Sequence, residues 1–193
     1  MTRIFKAFAA LTLVFSLSSV DALAGDDGAI SFDKLGSATL DKGFDDLAAL
    51  NDKLVESKTK LADIKAKVEA AKDDATVLKT AQTDLNTLVE SLKTIPDSAT
   101  AAVKSLNDGK SAGLKEVKGM FAKAKAGKNF VTNIAKAPKI GTNAAALLKE
   151  AQDTLTEVGK SAEAAAKNAA SAAEGAAEGA VDAAKDAAKE AAK

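Results

Sequence analysis

The chain has 193 residues with 27 basic and 27 acidic side chains, and it contains no histidine, cysteine, tryptophan or tyrosine. Its one arginine is Arg3, so beyond the N-terminus no side chain titrates near neutral pH, forms a thiolate or clamps an anion bidentately. This composition excludes a disulfide framework. It also argues against an enzyme, a cofactor, a metal centre, a small-molecule substrate and a nucleic-acid ligand.

The N-terminus has the pattern of a secretory signal peptide. Arg3 and Lys6 form a basic region, residues 7–20 are mainly apolar, and Ala22-Leu23-Ala24 is an A-x-A cleavage site. The apolar stretch is shorter than the roughly 20 residues that a membrane-spanning helix needs. We therefore expect residues 1–24 to be removed and the protein to be exported, to a periplasm or to the outside of the cell.

A long amphipathic helix is predicted after a flexible segment. Residues 25–43 are rich in Gly, Asp and Ser and show no sustained period, whereas from Phe44 onward apolar positions recur at alternating steps of three and four. That spacing is typical of a coiled-coil seam. The predicted seam residues are Leu47, Leu50, Leu54, Leu61, Ile64, Val68, Leu78, Leu85, Leu88, Leu92 and Ile95. Around Leu78 the seam takes two successive steps of three, from Ala75 to Leu78 and from Leu78 to Ala81, which indicates a local overwinding of the rod.

Pro96 is predicted to end this rod, because proline lacks an amide hydrogen and disfavours helical geometry at the residue before it. A second amphipathic helix follows, so residues 44–140 predict an antiparallel helical hairpin. An extended rod that forms parallel oligomers is the competing arrangement. The fold class is then all-α and elongated, a helical hairpin or coiled coil.

Two further helical segments are predicted beyond Pro138 and Gly141. Residues 141–160 form a third helix, and residues 161–193 form an alanine-rich tail whose charges recur every four residues. The tail resembles, in composition, late-embryogenesis-abundant and other Ala/Lys/Glu-rich helical proteins that protect membranes or span envelopes. Those proteins typically show an 11-residue repeat, which this tail lacks. The resemblance implies protection of membranes under stress as one role.

A lysine-rich segment is the sharpest positive feature of the sequence. Between Leu114 and Ile140 the sequence has seven lysines and one acid, Glu116. One side of a helical wheel carries the apolar residues Leu114, Val117, Met120, Phe121 and Ala124. This pattern resembles basic amphipathic helices that lie on membrane surfaces. The predicted contacts with an anionic surface are Lys115, Lys118, Phe121, Lys123, Lys125, Lys128, Phe130, Lys136 and Lys139. The alternative is that the segment packs on the first helix with its lysines in water.

Two functions follow from these patterns. The first is a non-enzymatic structural or interaction protein that self-associates, or binds another helical protein, through the seam from Leu47 to Ile95. The second is a protein that binds anionic membrane surfaces through the lysine-rich segment.

Overall fold

The computed structural model describes residues 30–71 and 74–191, with side chains described up to residue 175. These residues form helices and no strand, which confirms the all-α prediction. Five helices are present in the described part: α1 at Ala38–Ala71, α2 at Ala75–Lys93, α3 at Ile95–Glu116, α4 at Met120–Lys136 and α5 at Pro138–Ala191. The predicted signal peptide and its cleavage site lie outside the described residues.

The helices form a bundle of three arms. The first arm is α1, the second is α2 followed by α3, and the third is α4 followed by α5. A Cβ on Gly159 would lie 3.4 Å from the Gln82 side chain, and a Cβ on Gly141 would lie 4.0 Å from Cα of Pro96. Residue numbers rise along the third arm where they fall along the second, so these two arms are antiparallel.

The chain first reverses between the end of α1 at Ala71 and the cap of α2 at Asp74. Asp74 caps α2 with its carboxylate, which accepts the N–H groups of Thr76 at 2.9 Å and Val77 at 3.2 Å. The seam spacing predicted a single rod over residues 44–95. The two successive steps of three around Leu78 fall just after this reversal, so the change of phase marks a turn of the chain and not an overwound rod.

Pro96 does not form the predicted hairpin turn. Thr94, the one residue between α2 and α3, has helical φ and ψ of −85° and −17°, and Pro96 lies in the first turn of α3. Proline is tolerated there because the first N–H groups of a helix have no partner within it. Ala137 separates α4 from α5 in the same way, with φ −59° and Pro138 following. Both prolines therefore interrupt an arm without reversing it.

The N-terminal segment is more ordered than predicted. Ser37 caps α1 by accepting the Leu40 N–H at 3.2 Å, and Asp41 accepts the N–H of Leu35 at 2.6 Å. Gly36 supplies a left-handed φ of 76° between them. Helix α1 consequently begins at Ala38, within the region that was expected to be flexible.

The core is a set of seams that run along the three arms. Ten of the eleven predicted seam residues are buried inside the chain, and Leu50 is partly buried. The third arm contributes a further seam, at Ala126, Phe130, Asn133, Ala137, Ile140, Ala144, Leu147, Ala151, Thr154 and Val158. These positions alternate in steps of four and three, and many of them are small residues that allow the leucines of the other arms to approach closely.

Helix α5 continues past the end of the bundle. Ala165 is the last buried residue among the side chains described for α5, and residues 166–175 are all exposed. No helix boundary separates the predicted third helix, 141–160, from the predicted tail, since α5 is continuous from Pro138 to Ala191.

Candidate functional site: the outer face of α4

The predicted coiled-coil seam is not a free surface of this molecule. Its residues from Leu47 to Ile95 pack against the other arms of the same chain, and Leu47, Leu85 and Leu92 have no exposed surface at all. A partner helix would have to displace an arm of the bundle to reach them. The surfaces available for contact are therefore found elsewhere in the described residues.

The lysine-rich segment is split by a turn at residues 117–119. Val117 is buried and has extended backbone geometry, with ψ 123°, and Gly119 has φ 89°. The predicted common face from Leu114 to Ala124 is broken there, because α4 starts afresh at Met120 with its own phase. This turn lies at the same end of the bundle as the start of α1, since Glu116 contacts Ser37.

Helix α4 exposes the largest apolar side chains of the surface. The large hydrophobic side chains that are exposed in the described part of the chain are Val55 at 46%, Met120 at 83%, Phe121 at 92% and Val131 at 59%. Three of these four belong to α4. We define the outer face of α4 by Met120, Phe121, Ala124, Val131 and Ala135, all of which are exposed.

The apolar side of α4 does not coincide with the side that it buries. Its buried residues are Ala126, Phe130 and Asn133. At 100° per residue, the centre of this buried side lies about 150° around the helix axis from the centre of Met120, Phe121 and Val131. A helix that only serves the core directs its large apolar side chains inward. Helix α4 directs most of them to solvent.

The charge on and around the outer face has one sign. Helix α4 contains four lysines and no acidic residue. Lys115, Lys118, Lys123, Lys125 and Lys128 are exposed, and the structure records no salt bridge for them among the described residues. Helix α4 has no side-chain cap at Gly119, so the positive end of its dipole adds to this charge.

Glu116, the one acid in the segment, is hydrogen-bonded to residues at the start of α1. Its carboxylate accepts the Thr39 hydroxyl at 2.6 Å, the Ser37 hydroxyl at 2.8 Å and the Thr39 N–H at 3.3 Å. The hydrogen bonds from Thr39 and then Ser37 lower the pKa of Glu116 from its ordinary value of 4.5. This carboxylate stays ionised, and its acceptor capacity is used at the start of α1.

The inner side of α4 is attached to the residues before α1, which we call the N-terminal strap, residues 30–37. Asn133 accepts the Asp33 N–H at 3.1 Å and donates to the Asp33 carbonyl at 2.8 Å. The Phe44 ring lies 5.4 Å from Phe32 of the strap and 5.7 Å from Phe130. An aromatic cluster and a two-bond amide clasp therefore connect α4 to the strap and α1.

The predicted anionic contacts do not all lie on one surface. Phe130 is 2% exposed, with Lys110 Nζ 5.0 Å from its ring centroid, so its predicted surface role does not hold in the folded bundle. Lys136 is half-buried and donates to the Ser31 carbonyl at 3.0 Å. Lys139 is exposed but belongs to α5. The other predicted contacts gather around the 117–119 turn and the first turns of α4: Lys115, Lys118, Phe121, Lys123, Lys125 and Lys128.

The two large aliphatic residues of the outer face, Met120 and Val131, were absent from the predicted contact set. They share a side of α4 because eleven residues correspond to about three full turns. A helical wheel extended from Met120 to Val131 shows this grouping, because the two residues lie about 20° apart at 100° per residue. That extension was the signal that could have found them.

Comparison with protein-family models, with curated proteins and with solved structures finds no match to this chain. Among the described residues, no helix combines the length and the apolar character needed to cross a bilayer.

Proposed function

We propose that this protein is an exported, non-enzymatic helical bundle that binds anionic membrane surfaces through the outer face of α4. The observation that carries the proposal is the direction of the α4 side chains. Met120, Phe121 and Val131 point away from the core of the bundle, on a helix whose only charges are lysines. Solvent exposure of these side chains has no role in folding.

The energies of such contacts favour a peripheral attachment. Full burial of a side chain such as Phe or Met contributes roughly 1.5–3 kcal/mol. Each lysine near an anionic surface adds about 1 kcal/mol. Neither contribution alone gives stable attachment to a membrane, but an apolar insertion combined with a basic patch does.

The surrounding structure keeps the outer face accessible. Residues 120–125 are all exposed, so the first turn and a half of α4 extends past the packed part of the bundle. Met120 and Phe121 can therefore enter the headgroup region while the three arms remain folded. Lysine stems on both flanks are long enough to reach phosphates at the same depth.

Co-sedimentation with vesicles tests this proposal. Residues 25–193 are mixed with vesicles of phosphatidylglycerol and phosphatidylcholine, and the wild type is compared with the Met120→Ser/Phe121→Ser/Val131→Ser variant. We expect the variant to lose roughly tenfold or more in partitioning, since each exposed side chain contributes on the order of 1 kcal/mol. Its melting temperature should stay close to that of the wild type, because all three residues are exposed.

Val55→Ser is the matched control, because Val55 is an exposed apolar residue on α1 and lies outside the α4 face. The contribution of charge is tested with the Lys123→Glu/Lys125→Glu variant. Its control is the Lys53→Glu/Lys79→Glu variant, which changes exposed lysines of α1 and α2. Equal losses in the α4 and control variants would refute a specific face. Wild-type protein that stays in the supernatant at every anionic fraction would refute membrane binding altogether.

Association with another helical protein is a second proposal, on a different surface from the one that the sequence suggested. The predicted seam is buried, but α5 extends beyond Ala165 with exposed residues 166–175. Deletion of residues 166–193 distinguishes the two proposals, since it removes this surface and leaves the outer face of α4 intact.

A further inference from the structure

We infer that α4 releases its inner side from the bundle on an anionic membrane, so that Phe130 and Ile134 enter the lipid together with the outer face. This inference rests on the proposed function and concerns the conformation in which the same site binds. It assigns a membrane role to a residue that is 2% exposed in the folded bundle.

The apolar surface of α4 continues around the helix from the outer face to the inner side. On a wheel with 100° per residue, Ile134 lies between the exposed Met120 and the buried Phe130. The apolar arc from Phe130 to Phe121 covers roughly 180° of the helix, and the bundle covers only one edge of it. Lys123 and Lys128 fall within this arc, where their stems can lie along the lipid while the ammonium groups reach the phosphates.

The attachments of α4 to the rest of the bundle are few. Its buried residues are Ala126, Phe130 and Asn133. Both ends of the helix are breaks in the chain path, one at Gly119 with φ 89° and the other at Ala137 before Pro138. A rotation of α4 can therefore be absorbed at its ends without disturbing the long seams of α1, α2 and α5.

Three polar contacts hold α4 to the strap, and they are made by the buried Asn133 and the half-buried Lys136. They are the two bonds between Asn133 and the Asp33 backbone and the bond from Lys136 to the Ser31 carbonyl. Water can replace each of them when α4 turns away from the strap. The main cost of release is exposure of the Phe130 ring, and burial of that ring in lipid offsets it.

Single tryptophan reporters test the inference, because the chain has no tryptophan or tyrosine of its own. Phe130→Trp and Val131→Trp place the reporter at adjacent positions, one buried and one 59% exposed. Both variants are titrated with phosphatidylglycerol vesicles whose acyl chains carry bromine, which quenches tryptophan on contact. Ile134→Trp, at a half-buried position, is the second reporter of the inner side in case the larger ring at 130 disturbs folding.

Release of α4 predicts that the reporters at 130, 131 and 134 are all quenched, each losing at least half of its emission at saturating lipid. Quenching at 131 with unchanged emission at 130 and 134 would overturn the inference and leave the proposed function standing. No quenching at any position, with protein that does not sediment with the vesicles, would overturn both. Phosphatidylcholine vesicles serve as the uncharged comparison.

Discussion

Single residues decide how closely the first and second arms approach. A Cβ on Gly43 would lie 2.6 Å from Cδ2 of Leu106, and a Cβ on Gly113 would meet the Leu40 side chain even more closely. The absence of a side chain at each glycine thus leaves space for a leucine side chain of the opposite helix. These contacts fix the crossing of α1 and α3 at the end of the bundle that carries the outer face of α4.

Gly113→Ala should therefore destabilise the protein by about 1–3 kcal/mol, the usual cost of overpacking a core. Gly109 lies on the same helix, and a Cβ there would have no heavy atom within 4 Å. Gly109→Ala should instead stabilise the protein by up to about 1 kcal/mol through helix propensity. Urea unfolding of both variants measures the difference, and equal effects would contradict the close contact with Leu40.

Glu116 gives the stability a predictable dependence on pH. Its folded-state pKa is lowered by hydrogen bonds from Thr39 and Ser37, so it stabilises the folded state fully above its ordinary pKa of 4.5. That contribution is lost as the pH falls below this value. Glu116→Gln should lower the urea midpoint at pH 7 and match the wild type more closely near pH 3. A difference between the two proteins that does not change with pH would contradict this account.

Among the elements, the turns were harder to predict than the helices. The heptad spacing from Leu47 to Ile95 correctly identified which residues are buried, since the spacing reports the face of a helix. It could not report the direction of the chain, because a change of phase near Leu78 fits an overwound rod as well as a reversal between α1 and α2. The local signal for the reversal was the cap at Asp74.

The seam of the third arm shows a different limit of sequence reasoning. Ala126, Ala137, Ala144 and Ala151 are buried, but alanine is common on both faces of α5 and does not mark either one. The site was predicted in part, since the lysines and Phe121 were identified, whereas Phe130 was assigned to the surface. Its burial depends on Phe44, which lies 86 residues earlier in the sequence. The spacing of residues within a single helix cannot predict a contact between residues so far apart in the sequence.

The reversal between α1 and α2 depends on the Asp74 cap. Asp74→Ala removes the acceptor of the Thr76 and Val77 N–H groups and should cost about 0.5–2 kcal/mol. Asp84→Ala, at an exposed position within α2, is the control and should change stability by less than about 0.5 kcal/mol. Thermal unfolding followed by circular dichroism compares the two variants. A negligible effect of Asp74→Ala would contradict the role of this cap in the reversal between α1 and α2.

At the scale of the whole molecule, the seam residues of the three arms pack against one another within one chain. The three arms bury the residues that a two-stranded coiled coil would use for assembly. Residues 25–193 should therefore behave as a monomer in light scattering after size exclusion, with a helix content that does not depend on concentration. A stable dimer whose helix content falls on dilution would show that the seam residues act between chains.

Two ends of the molecule then have different properties. One end carries the start of α1, the 117–119 turn and the exposed lysines and phenylalanine of α4. At the other end α5 continues past Ala165. Attachment through α4 would leave the exposed part of α5 directed away from the membrane-binding end and available to a second partner.

The central claim is tested most directly by a titration of residues 25–193 with vesicles of increasing phosphatidylglycerol content, followed by sedimentation at low and high salt. The account predicts partitioning that rises steeply with the anionic fraction and falls at least severalfold at roughly 1 M salt, where the Debye length is about 3 Å. Partitioning that is equal on phosphatidylcholine and phosphatidylglycerol, or absent from both, would contradict it.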